Sequence, residues 1–231
     1  MKTKTVQDFL DGEVLLVDKP LEWTSFQVVN KLRWHIRQAF NLKKIKVGHA
    51  GTLDPLATGL LVICTGKMTK QIDTFQGQIK TYTGSLELGS TTPSYDLETA
   101  INQTFPTAHI TAELINNTTD QFTGEIDQFP PIFSALKKEG KRLYEFARAG
   151  EDVKIDSRKV TIQNFEILTI QDTTVSFTVT CSKGTYIRSL AHDFGKALDS
   201  GAHLTALRRT KIGAFNVDDA VSIDEFISNL D

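Results

Sequence analysis

The stretch VTIQNFEILTIQDTTVSFTVTC, residues 160–181, decides the fold class. Val175, Phe177 and Val179 alternate with Ser176, Thr178 and Thr180, the period-two pattern of a strand with one buried face. Val160–Ile170 and Thr174–Cys181 therefore read as paired strands joined at Gln171-Asp172-Thr173. A helical pattern follows over Tyr186–Leu198, with Ile187, Leu190, Phe194 and Leu198 on one side, and then a candidate strand at Leu204–Lys211. Upstream, Val14–Val17 reads as a short buried strand stopped by Asp18-Lys19-Pro20. Thr24 or Ser25 caps a helix whose apolar stripe is Phe26, Val29, Leu32, Ile36 and Phe40. Leu60–Cys64 is a buried strand, and Thr81–Leu88 another. Short helices are expected at 69–75, 112–116 and 143–149, the last ended by Gly150. Strands arriving singly and in pairs between helices predict an α+β protein with a central mixed, mainly antiparallel sheet flanked by helices.

The chain has 231 residues, enough for a core without disulfides or metals. Its longest apolar run, Gly59–Cys64, is far too short to cross a bilayer. No apolar signal core follows Met1, so a cytoplasmic setting without membrane attachment is expected. Cys64 and Cys181 form no CxxC pair and read as free structural thiols, and the five histidines show no metal-binding spacing. The net charge is only −2, but the charges are segregated. Between Trp23 and Leu53 there is no acid, while Lys31, Arg33, Arg37, Lys43, Lys44 and Lys46 are present. A second basic cluster lies at 137–148, and a third is Arg208, Arg209 and Lys211. Residues 218–231 carry five acids and no base, and read as an acidic tail. Convergent basic segments make a footprint for a polyanion, although ordinary solvated helix faces would look the same.

The segment richest in chemical possibilities is Gly48-His49-Ala50-Gly51-Thr52-Leu53-Asp54-Pro55-Leu56-Ala57-Thr58-Gly59. Its glycines permit turns closed to other residues, and Pro55 biases Asp54 toward an extended backbone. An Asp so placed can form a turn, cap a helix or act as a nucleophile, and Asp-Pro by itself is a common turn.

This segment resembles the catalytic motif of the tRNA pseudouridine-55 synthases, the TruB family. Leu16–Pro20 with Thr24-Ser25 resembles that family's N-terminal motif. Lys80-Thr81-Tyr82 resembles its tyrosine strand, Cys181–Leu190 its Tyr-Ile-Arg motif, and Gly201–Leu204 with Leu207-Arg208-Arg209 its C-terminal core motif. The resemblance implies isomerisation of a T-loop uridine of tRNA to pseudouridine, with no metal or organic cofactor. It implies Asp54 as the catalytic carboxylate, acting on the base or sugar or assisting glycal formation. It implies Arg188 as the partner of that carboxylate, Tyr82 as the residue stacking on the base, and Tyr186 as a second tyrosine of the site. Leu207 would line the pocket and His49 would lie near the extruded nucleotide. Without the motifs, Tyr82, Tyr186 and Leu207 read as core packing, Arg188 as a surface charge and His49 as a loop histidine. The chain departs from the family at Glu22, where Gly is usual, and at Thr92-Pro93-Ser94, where many members have Thr-Asp-Thr. It is read as one catalytic domain over residues 1–231, monomeric by default. An RNA-gripping insertion is expected at about 90–150, and no C-terminal PUA-type module is expected. An RNA-folding chaperone is the competing reading, and another uridine or an rRNA target is open within the family.

Overall fold

A computed structural model describes residues 4–230. In chain order its main elements are α1 (Val6–Asp11), β1 (Val14–Lys19), α2 (Ser25–Ala39), β2 (Val47–His49), β3 (Ala57–Thr65), α3 (Ile72–Gln76) and β4 (Lys80–Leu88). Then come α4 (Ala112–Thr118), β5 (Gly124–Gln128), α5 (Leu143–Ala149), β6 (Arg158–Gln171), β7 (Thr174–Cys181), α6 (Ile187–Ala197), β8 (Ala202–Ile212) and α7 (Ile223–Ser228). The chain packs as two compact units. One comprises residues up to Tyr82 together with Leu207 onward, and the other Thr83–Ala206. The expected insertion at 90–150 falls inside the second unit.

In the first unit β3 is the centre. It runs antiparallel to β1, with Leu16 opposite Val62, and parallel to β8, with Leu207 opposite Ala57. That combination makes the sheet mixed, as expected. Strand β3 is apolar without alternation because both its faces are covered. Leu61 and Ile63 pack with Leu15, Val17, the α2 residues Val28, Val29, Leu32 and Ile36, and Ile223 and Phe226 of α7. Leu60 and Val62 pack on the opposite side with Ala50, Ile212 and Val217.

Three expectations are corrected here. Strand β1 does not stop at Val17 but continues through Lys19, whose side chain turns inward with Leu15 and Val17. The stripe of α2 is shifted: Thr24 is the N-cap, in a capping box with Gln27, and packing against the core and the Leu53 backbone turns Ser25 and Val28 inward and Phe26 to solvent. The acidic end is not a free tail. Ile223 and Phe226 are buried, and Val221 exchanges backbone hydrogen bonds with β1: its N–H donates to Leu16 O at 3.1 Å and its carbonyl accepts from Asp18 N at 2.9 Å.

In the second unit β7 and β6 form the anticipated antiparallel hairpin, and β5 adds antiparallel to β6. Asp172, in the hairpin turn, has φ 52. Phe165 packs edge-on against Phe177 and against Phe194 of α6, tying helix to sheet. Both cysteines are buried, and burial pushes the Cys64 thiol up to about 11, which suits packing rather than reactivity.

Glu22 and Gly59 test the backbone directly. Glu22 is exposed at φ 65, a conformation that glycine adopts without strain. Glu22→Gly is expected to stabilise the protein by about 0.5 kcal/mol, strain relief outweighing the added freedom of the unfolded chain. A Cβ at Gly59 would lie 2.3 Å from the Arg209 carbonyl oxygen. Gly59→Ala is expected to cost about 3 kcal/mol or more. Urea unfolding of the two variants beside the parent checks both signs.

Candidate active site

The Asp54 loop leaves β2, crosses Ala50–Leu56 and enters β3. It is pinned on both sides of Asp54. Ala50 N–H donates to Val62 O at 2.8 Å. The Ser25 hydroxyl, at the first turn of α2, accepts from Leu53 N at 2.9 Å and donates to Leu53 O at 3.2 Å. On the far side the Pro55 carbonyl accepts from Glu22 N at 2.8 Å, and Ala57 N donates to Asp54 O at 3.1 Å. The backbone around the half-buried Asp54 thus has little freedom left.

Two buried cations complete the frame. Arg209 of β8 is 1% exposed, and its guanidinium donates to Leu60 O at 2.8 Å, Gly51 O at 3.1 Å and Thr52 O at 3.5 Å. Lys19 is 0% exposed, and its ammonium donates to Trp23 O at 2.5 Å, Pro20 O at 2.9 Å and Pro55 O at 3.3 Å. Three carbonyls match the three donors of a protonated lysine. Burial, opposed by the Asp54 carboxylate and aided by Arg209, holds Lys19 down to about 8. His49, paired with Ile63 across β2 and β3, is held below the usual histidine range by burial and by Arg209. The Gly51 backbone opposes this shift, and the His49 Nδ1 is buried.

The same unit places Leu207 opposite Ala57, three residues beyond Asp54, half-buried on β8. Tyr82 is buried on β4. The basic cluster expected at 208–211 is not a surface footprint. Arg209 is interior, and Arg208 forms a two-pronged pair with Asp18, at 3.0 Å to Oδ1 and 2.7 Å to Oδ2. Lys211 alone of the three is exposed.

Tyr186 and Arg188 belong to the second unit, at the start of α6. Tyr186 exchanges both backbone hydrogen bonds with the side chain of the buried Gln128, at 2.8 Å and 3.0 Å. The Arg158 guanidinium lies 4.9 Å from its ring centroid. Arg188 is 3% exposed, so it is not a surface helix charge. It donates to Phe133 O at 2.9 Å and Ser94 O at 3.2 Å, and its Nε lies 3.6 Å from Asp96 Oδ2. The segment 92–96 is folded tightly onto it. Thr92 and Ser94 hydroxyls donate to Asp96 O at 2.6 Å and 3.1 Å. Tyr95, at φ 64, stacks on His192 with centroids 3.8 Å apart and planes at 12°. His192 lies one helical turn beyond Arg188, and burial pushes its pKa down to about 4, so the stack holds a neutral imidazole at neutral pH.

Three residues of this framework escape sequence reasoning. Lys19 reads as part of a strand stop, Arg209 as surface charge and Asp96 as loop. The signal available for Lys19 is its position two residues beyond Val17, in phase with Leu15. Nothing local marks Asp96, whose partner is 92 positions away.

Residues 37–187 match the model of the TruB family pseudouridylate synthase N-terminal domain. Residues 188–230 match that of the tRNA pseudouridylate synthase B C-terminal domain. The chain is 63% identical over 227 residues to a tRNA pseudouridine synthase B of Flavobacterium johnsoniae, covering 98% of this chain and 99% of the relative. It is 54% identical over 224 residues to one of Phocaeicola vulgatus, covering 97% and 95%. Among solved structures it is similar to a chain of a Cbf5-Nop10-Gar1 complex, with TM-score 0.71 and 28% identity over 98% of this chain. It is also similar to a chain of an H/ACA RNP bound to a substrate RNA containing 2'-deoxyuridine, with TM-score 0.67 and 28% identity over 95% of this chain. It spans 61% and 53% of those two longer chains. The fold is therefore that of the pseudouridine synthases. The chain belongs to the TruB family, and its activity is tRNA pseudouridine synthesis, an isomerisation. Among the described residues no helix is long and apolar enough to cross a membrane.

Two variants probe the buried cations. Arg209→Met strands three loop and strand carbonyls and is expected to destabilise by about 3 kcal/mol in urea unfolding. For Lys19, the folded chain releases its proton near pH 8, whereas the unfolded chain holds it until about 10.5. The unfolded state binds more protons in that window, so Lys19's contribution to stability rises with pH across it. The stability gap between the parent and Lys19→Met is expected to widen from pH 7.5 to pH 10; a constant gap would mean an ordinary lysine.

Proposed function

We propose that this enzyme converts the uridine at the T-loop position of tRNA to pseudouridine, with Asp54 as the catalytic carboxylate. The observation that carries the assignment is the immobilised Asp54 loop, held by Ser25 on one side and by the buried Arg209 and Lys19 beneath it. Such bracing fits a group that must meet a reacting atom in one geometry. A structural turn at the surface would not need two buried cations.

The reaction is balanced within the nucleotide. The N1–C1′ bond breaks, the base turns, and a C5–C1′ bond forms. The proton leaves C5, and N1 ends protonated. Asp54 serves either by attack or by assisting glycal formation. Tyr82 stacks on the base and assists proton removal from C5. Leu207 and His49 contact the extruded nucleotide, and Tyr186 and Arg188 of the second unit keep the substrate-binding roles that the family resemblance implies. Extrusion costs a few kcal/mol of unstacking, partly offset by the aromatic pocket. No cofactor enters this chemistry, and the enzyme is expected to act as a monomer in the cytoplasm.

The test is incubation with unmodified tRNA transcript and pseudouridine mapping at single-nucleotide resolution. The parent is expected to modify the T-loop uridine. Asp54→Asn is expected to lose product formation on the order of 10³-fold or more while the Kd for tRNA stays within about threefold. Tight binding by the parent without product would favour the chaperone reading. Product at another uridine would retain the chemistry and overturn the site.

A further inference from the structure

Helix α2 carries an outer face that the reaction just described leaves unused. Phe26, Asn30, Trp34 and Arg37 recur at spacings of four, four and three, so they share one side. Val28, Val29, Leu32 and Ile36 take the other side, which packs into the core against β1, β3 and α7. Phe26 is 63% exposed and Trp34 54%. Leu21, just before the helix, is also largely exposed. Large exposed aromatics on a short helix face suit a surface that something covers.

Charge says what covers it. The helix and the loop after it hold Lys31, Arg33, Arg37, Lys43, Lys44 and Lys46 and not one carboxylate, on a chain whose net charge is −2. Lys31, Lys43, Lys44 and Lys46 are exposed. Arg37 is steadied by donating to Leu42 O at 3.2 Å. Position adds a third argument. Ser25, next to Phe26, is the residue that clips Leu53 beside Asp54, so the aromatic end of this face starts at the Asp54 loop. The face then runs along 15 residues, about 22 Å of helix.

We propose that the outer face of α2 is an accessory RNA-docking surface. Phe26 and Trp34 stack on unpaired bases of the tRNA, and the flanking lysines bind its phosphates, beyond the nucleotide that reacts. Aromatic platforms bordered by cations are the physical means by which proteins hold unpaired nucleotides. A protein partner of matching acidity is the alternative that the experiment must exclude, as is a second copy of this chain. The proposal rests on tRNA as the substrate but not on the assignment of Asp54.

The test uses the full chain with unmodified tRNA transcript. Phe26→Ser/Trp34→Ser removes the platform, and Lys31→Gln/Lys43→Gln/Lys44→Gln removes charge. All these side chains are exposed, so folding should survive, which the thermal midpoint checks. Leu168→Ser, an exposed apolar position on β6, is the control. The aromatic variant is expected to raise the Kd and KM for tRNA about tenfold, with kcat within twofold. The lysine variant is expected to flatten the dependence of log K on log salt by roughly 0.7–0.9 for each phosphate that it no longer neutralises. The control should change nothing. Unchanged Kd and KM in both variants would overturn the proposal. So would a fall in kcat alone, which would mark a structural role. Sedimentation of the parent as a dimer that Phe26→Ser/Trp34→Ser dissociates, with tRNA affinity intact, would assign the face to a second copy instead. Failure of the parent to modify the T-loop uridine would overturn the functional reading, while direct tRNA binding by these variants would still decide the docking surface.

Discussion

The buried guanidinium of Arg209 is the interaction on which the first unit depends. Removing a cation from water is costly, and here the cost is met by backbone carbonyls of Leu60, Gly51 and Thr52 rather than by a carboxylate. One side chain thereby ties β8 to β3 and to the loop that carries Asp54. The arrangement constrains its neighbours. Gly59 must lack a side chain, because the Arg209 backbone passes where a Cβ would lie. Lys19 repeats the device from β1, directing its three donors to the carbonyls of Pro20, Trp23 and Pro55. Two strands therefore each send a cation under one loop, and the loop is rigid because its carbonyls have nowhere better to bond.

The second unit applies the same device at Arg188. Its guanidinium joins α6 to the carbonyls of Ser94 and Phe133 and approaches Asp96. The turn that delivers Asp96 is stabilised by its own hydroxyls and by the Tyr95–His192 stack. Because His192 is neutral at neutral pH, that stack presents no charge to the nearby guanidinium. The Thr92-Pro93-Ser94 departure from the family pattern is thus compatible with a tightly built turn.

Charge in this protein divides into two kinds by burial. The interior cations Lys19, Arg188 and Arg209 shape backbone and are unavailable to a polyanion. The exposed cations of α2 and its following loop are available. Net charge is blind to the difference, and so is a count of basic residues along the chain. A functional reading of basic clusters requires knowing which members face water.

Much of the fold was legible in the sequence because it is written in local periodicities. Alternation marked β7, unbroken apolar character marked β3, and Gly150 in a left-handed conformation ended α5 at the expected residue. The motif carrying Asp54 was equally legible, since its glycines and proline constrain backbone locally. What the sequence by itself could not determine were the long-range pairings. Lys19 and Arg209 look like surface residues until a sheet brings their donors to carbonyls far along the chain. Asp96 looks like loop until α6 supplies Arg188. Phe26 fits an apolar stripe until the packing of Val28, Val29, Leu32 and Ile36 sets the helix rotation and turns it to solvent. Residues 218–230 look like an acidic tail until Ile223 and Phe226 find the core beside β1. In each case the residue's own preferences were satisfied by several environments, and only the tertiary structure, by supplying a partner or withholding one, selected among them.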